Sequence, residues 1–161
     1  MLTKVISGLQ TGADIAGIIA AQKCGIEIGE CWMPKGFRTE KGPRPEYAQL
    51  YNARETASSG YTARTAQNIQ SSDGTIIFSR NMNSPGTLQT LSLLTKWGRP
   101  KYIPQSNSSQ EVINVVEWLK EENIYCLNVA GNRESVAPGI QANVEAFLTK
   151  VFTLYFEELK C

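Results

Sequence analysis

Three glycine-bearing stretches carry the residues best suited to chemistry: SGLQTGAD at Ser7 to Asp14, SRNMNSPGT at Ser79 to Thr87, and GNRESVAPG at Gly131 to Gly139. Each follows an apolar run and leads into a helical pattern. At such a junction, free backbone N–H groups and the positive end of a helix dipole face an incoming anion, which suits a phosphate. Gly8, Gly12, Gly86, Gly131 and Gly139 let the backbone approach a ligand closely, although a glycine taken singly is usually an ordinary turn residue. Gln10 and Thr11 have no evident core role, and Ser79, Pro85 and Thr87 complete the middle loop. Asp14 is suited either to cap the first helix or to take a ribose hydroxyl or amino group. Lys35, Arg38, Arg54 and Arg64 cluster in the central segment and Arg133 stands in the last loop. Any of them could fork onto phosphate oxygens, with solvated surface charge as the ordinary alternative. Trp32 offers a face for a base or, equally, a core indole.

Composition limits the reactions available. The chain has no histidine, which excludes Ser-His and Cys-His pairs, imidazole zinc sites and the usual neutral-pH base. Cys24, Cys31, Cys126 and Cys161 show no metal-ligand spacing and read as reduced thiols. With 16 basic and 15 acidic residues the formal charge is +1, so no long-range field gathers nucleic acid or anionic membrane, and an anionic ligand must be caught locally. The MLTKVIS start has no signal-peptide pattern, and no apolar stretch reaches the roughly 18 residues of a membrane span. A cytoplasmic location is expected.

The elements that must position these loops follow from hydrophobic periodicity. Strands are expected at Leu2–Ser7, Glu30–Met33, Asp73–Ser79, Lys101–Pro104 and Ile124–Ala130. Helices are expected at Asp14–Lys23, Tyr61–Ser71, Thr87–Trp97, Ser108–Glu122 and from about Pro138 onward. Gly25 stands where a left-handed helix end is wanted, and Ser108 or Ser109 is placed to cap the helix that follows. The final helix carries Ile140, Val144, Phe147, Leu148, Val151 and Tyr155 at helical spacing, a stripe for the core or a dimer seam. At 161 residues, 42% hydrophobic, a single domain is expected over residues 1–161. Strands alternating with helices predict an α/β, Rossmann-like, doubly wound and mainly parallel sheet of five or more strands. Ligands of such sheets sit beyond the carboxyl ends of the strands, where all three glycine loops fall. The segment from Pro34 to Ser59 is too long to be an idle connection and is expected to carry function.

SGLQTGAD resembles a dinucleotide-binding GxGxxG fingerprint without matching it, which argues against a standard NAD dehydrogenase. Taken together, SGLQTGAD, WMPKGFRTEKGP, Arg54 to Thr56, YTARTAQNIQSSDGTIIFS, PGTLQT and LNVAGNRESVAPGIQANVEAFL resemble the molybdenum-carrier family. That family is a circularly permuted branch of the SLOG superfamily, the nucleotide-binding Rossmann-like group that includes the lonely-guy phosphoribohydrolases. The resemblance runs from Ser7 to about Leu148.

It implies a crevice for a nucleotide-like ligand. Lonely-guy enzymes carry a PGGxGTxxE loop with a catalytic glutamate, whereas here SPGTLQT keeps Gly86 and Thr87 but has Thr90 at the glutamate position and Pro85 where a second glycine is usual. The resemblance therefore implies non-catalytic binding of a phosphorylated ligand, with no cofactor required. The ligand would be an ADP-ribose-type signal derived from NAD, sequestered as an immune signal if the gene is phage-borne, or molybdenum cofactor. The alternative is a lonely-guy-like nucleotide hydrolase using Asp14, Glu55 or Glu134 as acid or base. Glu134, beside Arg133, is also a candidate ligand contact. A homodimer or higher homo-oligomer is expected from related folds.

Overall fold

The computed structural model describes residues 1–161. In chain order the elements are β1 (Lys4–Ser7), α1 (Ala13–Lys23), β2 (Glu27–Ile28), β3 (Cys31–Met33), β4 (Arg38–Thr39), β5 (Gly42–Pro43) and α2 (Tyr47–Leu50). They continue with β6 (Ala53–Glu55), α3 (Tyr61–Gln70), β7 (Gly74–Phe78), α4 (Pro85–Trp97), β8 (Lys101–Tyr102), α5 (Ser109–Glu121), β9 (Cys126–Gly131) and α6 (Ile140–Glu158). The main sheet has the order β2-β1-β9-β7-β8 and every pairing in it is parallel, the doubly wound arrangement expected.

Side chains of β7 show why helices cover both faces. Ile76 and Phe78 join the large core with α1, α5 and α6, while Ile77 between them points the other way, to a smaller cluster with Ile69 of α3 and Leu94 of α4. α1 is buried along most of its length because α6 and the sheet enclose it, and Gly17 lets it approach β9: a Cβ there would lie 2.6 Å from that of Val129. The α6 stripe from Ile140 to Tyr155 is buried within this same chain. Gly25 takes φ 69°, and Ser108 caps α5 by accepting from Glu111 N–H at 3.1 Å.

One expectation is corrected. The strand predicted over Glu30–Met33 does not join the main sheet; Cys31–Met33 pairs with β6 in a separate two-stranded sheet. The place beside β1 is taken by Glu27–Ile28, too short to leave a periodic signal. Gly29 donates to Val5 O, and packing of Ile6 Cγ2 against it leaves no room for a Cβ, so the chain departs from the sheet edge there. The long segment from Pro34 to Ser59 is ordered into the β4–β5 hairpin, α2 and β6.

Candidate functional site

β1, β9 and β7 are neighbours in the sheet, so the loops leaving their carboxyl ends meet over its centre. Between them and the start of α3 lies a cleft of about 440 Å³. Gly8, Gln10, Asp14, Pro85, Gly86, Thr87, Gly131 and Arg133 line it, as do Tyr61, Arg64, Asn68 and Asn132. Thr11, Gly12, Lys35, Arg38, Ser79 and Glu134 do not line it, and each has another place.

The three helix openings differ. At α4, Ser84 is the N-cap but gives no side-chain cap; its hydroxyl instead donates to Thr87 Oγ1 at 2.9 Å. Pro85 has no N–H, and the N–H groups of Gly86 and Thr87 have no partner, so they are free to meet an anion in the cleft. At α1 the Ile15 N–H donates to Gln10 O at 3.2 Å, while the Asp14 N–H has no partner. Ala13 N–H donates to Asn132 O at 3.1 Å, and Gln10 N–H, just upstream, donates to Asp14 Oδ2 at 3.3 Å. Gly12 takes φ 82°, and a Cβ there would fall 2.4 Å from Asn132 O, so this glycine packs the first loop against the last. At α6, Glu134 accepts from the N–H groups of Gly139 and Gln141 and thereby closes the helix end.

Asn132 holds the cleft together. Its Oδ1 accepts from Arg80 N–H at 2.7 Å and from Ser79 Oγ at 3.1 Å, and its Nδ2 donates to Ser84 Oγ at 3.1 Å. Ser79 also contacts Thr87 Oγ1 at 3.1 Å, so it supports the α4 opening from behind. Nothing in the spacing singles out this asparagine, since Gly-Asn after a strand reads as a turn.

The cleft's charge is concentrated around Tyr61. The guanidinium of Arg133 lies 4.2 Å from the ring centroid, that of Arg38 5.0 Å and that of Arg64 5.5 Å. Cation–π attraction of about 0.5–1 kcal/mol each helps hold them near one another. Arg64 pairs with Asp14 at 3.4 Å, whereas Arg38 and Arg133 make no ion pair. Arg38 donates to Ser59 O at 3.1 Å and stands beside the cleft rather than in its wall. Lys35 is exposed, with its N–H tied to Ser58 O. Sequence reasoning missed Tyr61, because an aromatic at a helix start carries no distinguishing pattern. It offered Trp32 instead, which β3 and the Asn68 amide hold outside the lining.

Burial dominates the electrostatics. Desolvation raises the Asp14 carboxyl above its ordinary pKa despite the opposing attraction of Arg64, the hydrogen bond from Gln10 and the attraction of Arg133. Desolvation likewise lowers Arg64, with Arg133 adding repulsion. The two shifts agree: their contact returns less than burial costs the pair. Arg64 Nε has no partner, so an anionic acceptor in the cleft would satisfy it. Glu40 joins Thr11 and Ser135 through side-chain hydrogen bonds. Burial opposes its ionisation, but those bonds, with Arg133, hold its carboxyl below the ordinary range. A Cβ at Gly8 would lie 1.9 Å from Arg64 Nη1 and 2.8 Å from Asp14 Oδ2, so a larger residue there would displace the Arg64–Asp14 pair. No three cysteine, aspartate or glutamate side chains are gathered as a metal-ligand cluster.

Fold and cleft together define a Rossmann-like domain with a cleft at its strand ends lined by Arg64 and Arg133. The chain belongs to the circularly permuted YpsA SLOG family, whose model matches residues 5–152. It is 33% identical to a protein from Syntrophus aciditrophicus SB, over 94% of each chain and with a TM-score of 0.84. That relative's crystal structure is described as a "putative molybdenum carrier protein". No curated protein matches. Membership gives the chain a nucleotide-related ligand-binding role.

Proposed function

We propose that the cleft binds a phosphorylated, nucleotide-derived small molecule and releases it unchanged. The observation that carries this reading is the convergence on Tyr61 of two guanidinium groups of the cleft wall, Arg64 and the ion-pair-free Arg133, in the same lining as the free N–H groups of Gly86 and Thr87. A phosphate or diphosphate would accept from both sets, and these charge-assisted bonds are the strong ones. The lack of a carboxylate on the cleft side of α4 supports binding without turnover: its first turn has none, and Thr90, one turn further on, donates to Gly86 O at 2.9 Å. Glu134 is occupied as the α6 cap and Glu55 accepts from Gly36 N–H at 2.7 Å. The ligand is an ADP-ribose-type molecule or, following the Syntrophus relative's description, molybdenum cofactor.

A hydrolase is the second reading, and one observation favours it: Asp14 is a buried carboxyl in the cleft wall with a raised pKa, a property of general acids. Both readings meet one experiment. Freshly purified protein is denatured and the released small molecules are identified by mass spectrometry, with an Arg133→Ala variant alongside. Intact ADP-ribose-type or pterin species, absent from Arg133→Ala, are expected. Conversion of added nucleoside monophosphates to base and sugar phosphate, lost in Asp14→Asn, would overturn binding without turnover.

A further inference from the structure

Gln10 lines the cleft and also a second cavity of about 320 Å³, bounded by α1, the β4–β5 hairpin and α2. The two cavities differ in chemistry. Ile15 and Ile19, one turn apart on α1, give the second an apolar side. Across from that, Tyr47 at the start of α2 and Tyr51 just after its end meet edge to face, with ring centroids 4.9 Å apart. Lys41 and Arg44 bring two cations to the lining, and neither makes an ion pair. The volume lies within the range of small-molecule sites.

The wall shared by the two cavities contains an unmet hydrogen-bond acceptor. Gln10 is 2% exposed, and its Nε2 donates to two carbonyls, Gly8 O at 3.2 Å and Arg38 O at 3.0 Å. Turning the amide over would set an oxygen against both carbonyl oxygens, so the orientation is fixed. Oε1 is therefore an acceptor without a partner. Leaving such a group unsatisfied costs about 1–3 kcal/mol, which a ligand N–H or O–H would recover.

We propose that this second cavity is a binding site for a heteroaromatic anion. The ring lies against the tyrosines and isoleucines, a ring N–H donates to Gln10 Oε1, and a phosphate or carboxylate meets Arg44 and Lys41. The site shares only Gln10 with the cleft, and its two cations and two tyrosines lie outside the cleft lining.

GMP joins such a ring, its N–H donors and a phosphate in one molecule, and guanosine and inorganic phosphate are its separated parts. Calorimetric titration into the Arg133→Ala protein, whose first cleft is impaired, is expected to show GMP binding more tightly than either part. Adding Arg44→Ala or Lys41→Ala is expected to weaken it about tenfold, the loss of one charge-assisted contact, with Arg44→Lys retaining part of the affinity. Arg44 and Lys41 make no side-chain hydrogen bond, so thermal melts of these variants should match the parent. GMP that fails to bind Arg133→Ala, or binds it equally with and without the two cations, overturns the second site. That outcome leaves the first cleft intact, because its ligand is read from the molecules released on denaturation.

Discussion

The start of α4 and the starts of α1 and α6 are built from similar sequence, a strand running into a glycine-containing loop and then a helix. They spend their backbone donors differently. At α1 the Ala13 N–H ties the first loop to Asn132 O of the last, and at α6 the Glu134 carboxylate of the same loop takes the Gly139 and Gln141 N–H groups, so fewer donors are left at these openings. At α4 the Gly86 and Thr87 N–H groups remain available. A helix dipole is thus no sufficient sign of a ligand site; what counts is whether the fold has already used the donors.

The largest effect is expected at Gly12. Gly12→Ala must adopt φ 82° and meets Asn132 O, so a loss of about 3 kcal/mol in unfolding free energy is expected from chemical denaturation. If the variant is as stable as the parent, the first loop is not a packing element. At Gly86 the opposite is expected. A Cβ there meets nothing, so Gly86→Leu should melt within a few degrees of the parent. It should nonetheless lose tenfold or more in affinity for ADP-ribose by calorimetry, about 1.4 kcal/mol, because the residue lines the cleft. Glu134→Ala sharpens the contrast at α6: a stability loss of about 1 kcal/mol for the lost cap, with ligand affinity unchanged.

The smallest effect is electrostatic. Because folding raises the Asp14 pKa above 3.8, the folded chain holds more protons than the unfolded one between the two values. Stability therefore falls as pH rises through that window, and Asp14→Asn should flatten that part of the stability profile. A profile unchanged by the substitution would mean that Arg64 already offsets the burial of Asp14.

Much of this was legible in the sequence. Periodicity located the long elements, since α5 and α6 bury regular stripes and β7 is a continuous apolar run. Glycine spacing located the three loops. Two kinds of feature left no trace. Strands of two residues, such as Glu27–Ile28, are defined by their partners rather than by their own pattern. Roles such as those of Asn132 and Tyr61 arise from distant segments meeting in space, as when Arg38, Arg64 and Arg133 gather on one ring. The same lack of distance information hid that the Glu134 carboxylate reaches the start of α6.

The position of β9 between β1 and β7 also governs how the chain reaches its native state. β9 follows the other four strands of the sheet in sequence, yet it is the central one. Until Gly131 has left the ribosome, β1 and β7 expose unpaired edges to one another and to other nascent chains, a liability of sheets closed by late, non-local pairing. Assembly of the central sheet therefore waits until β9 has been made.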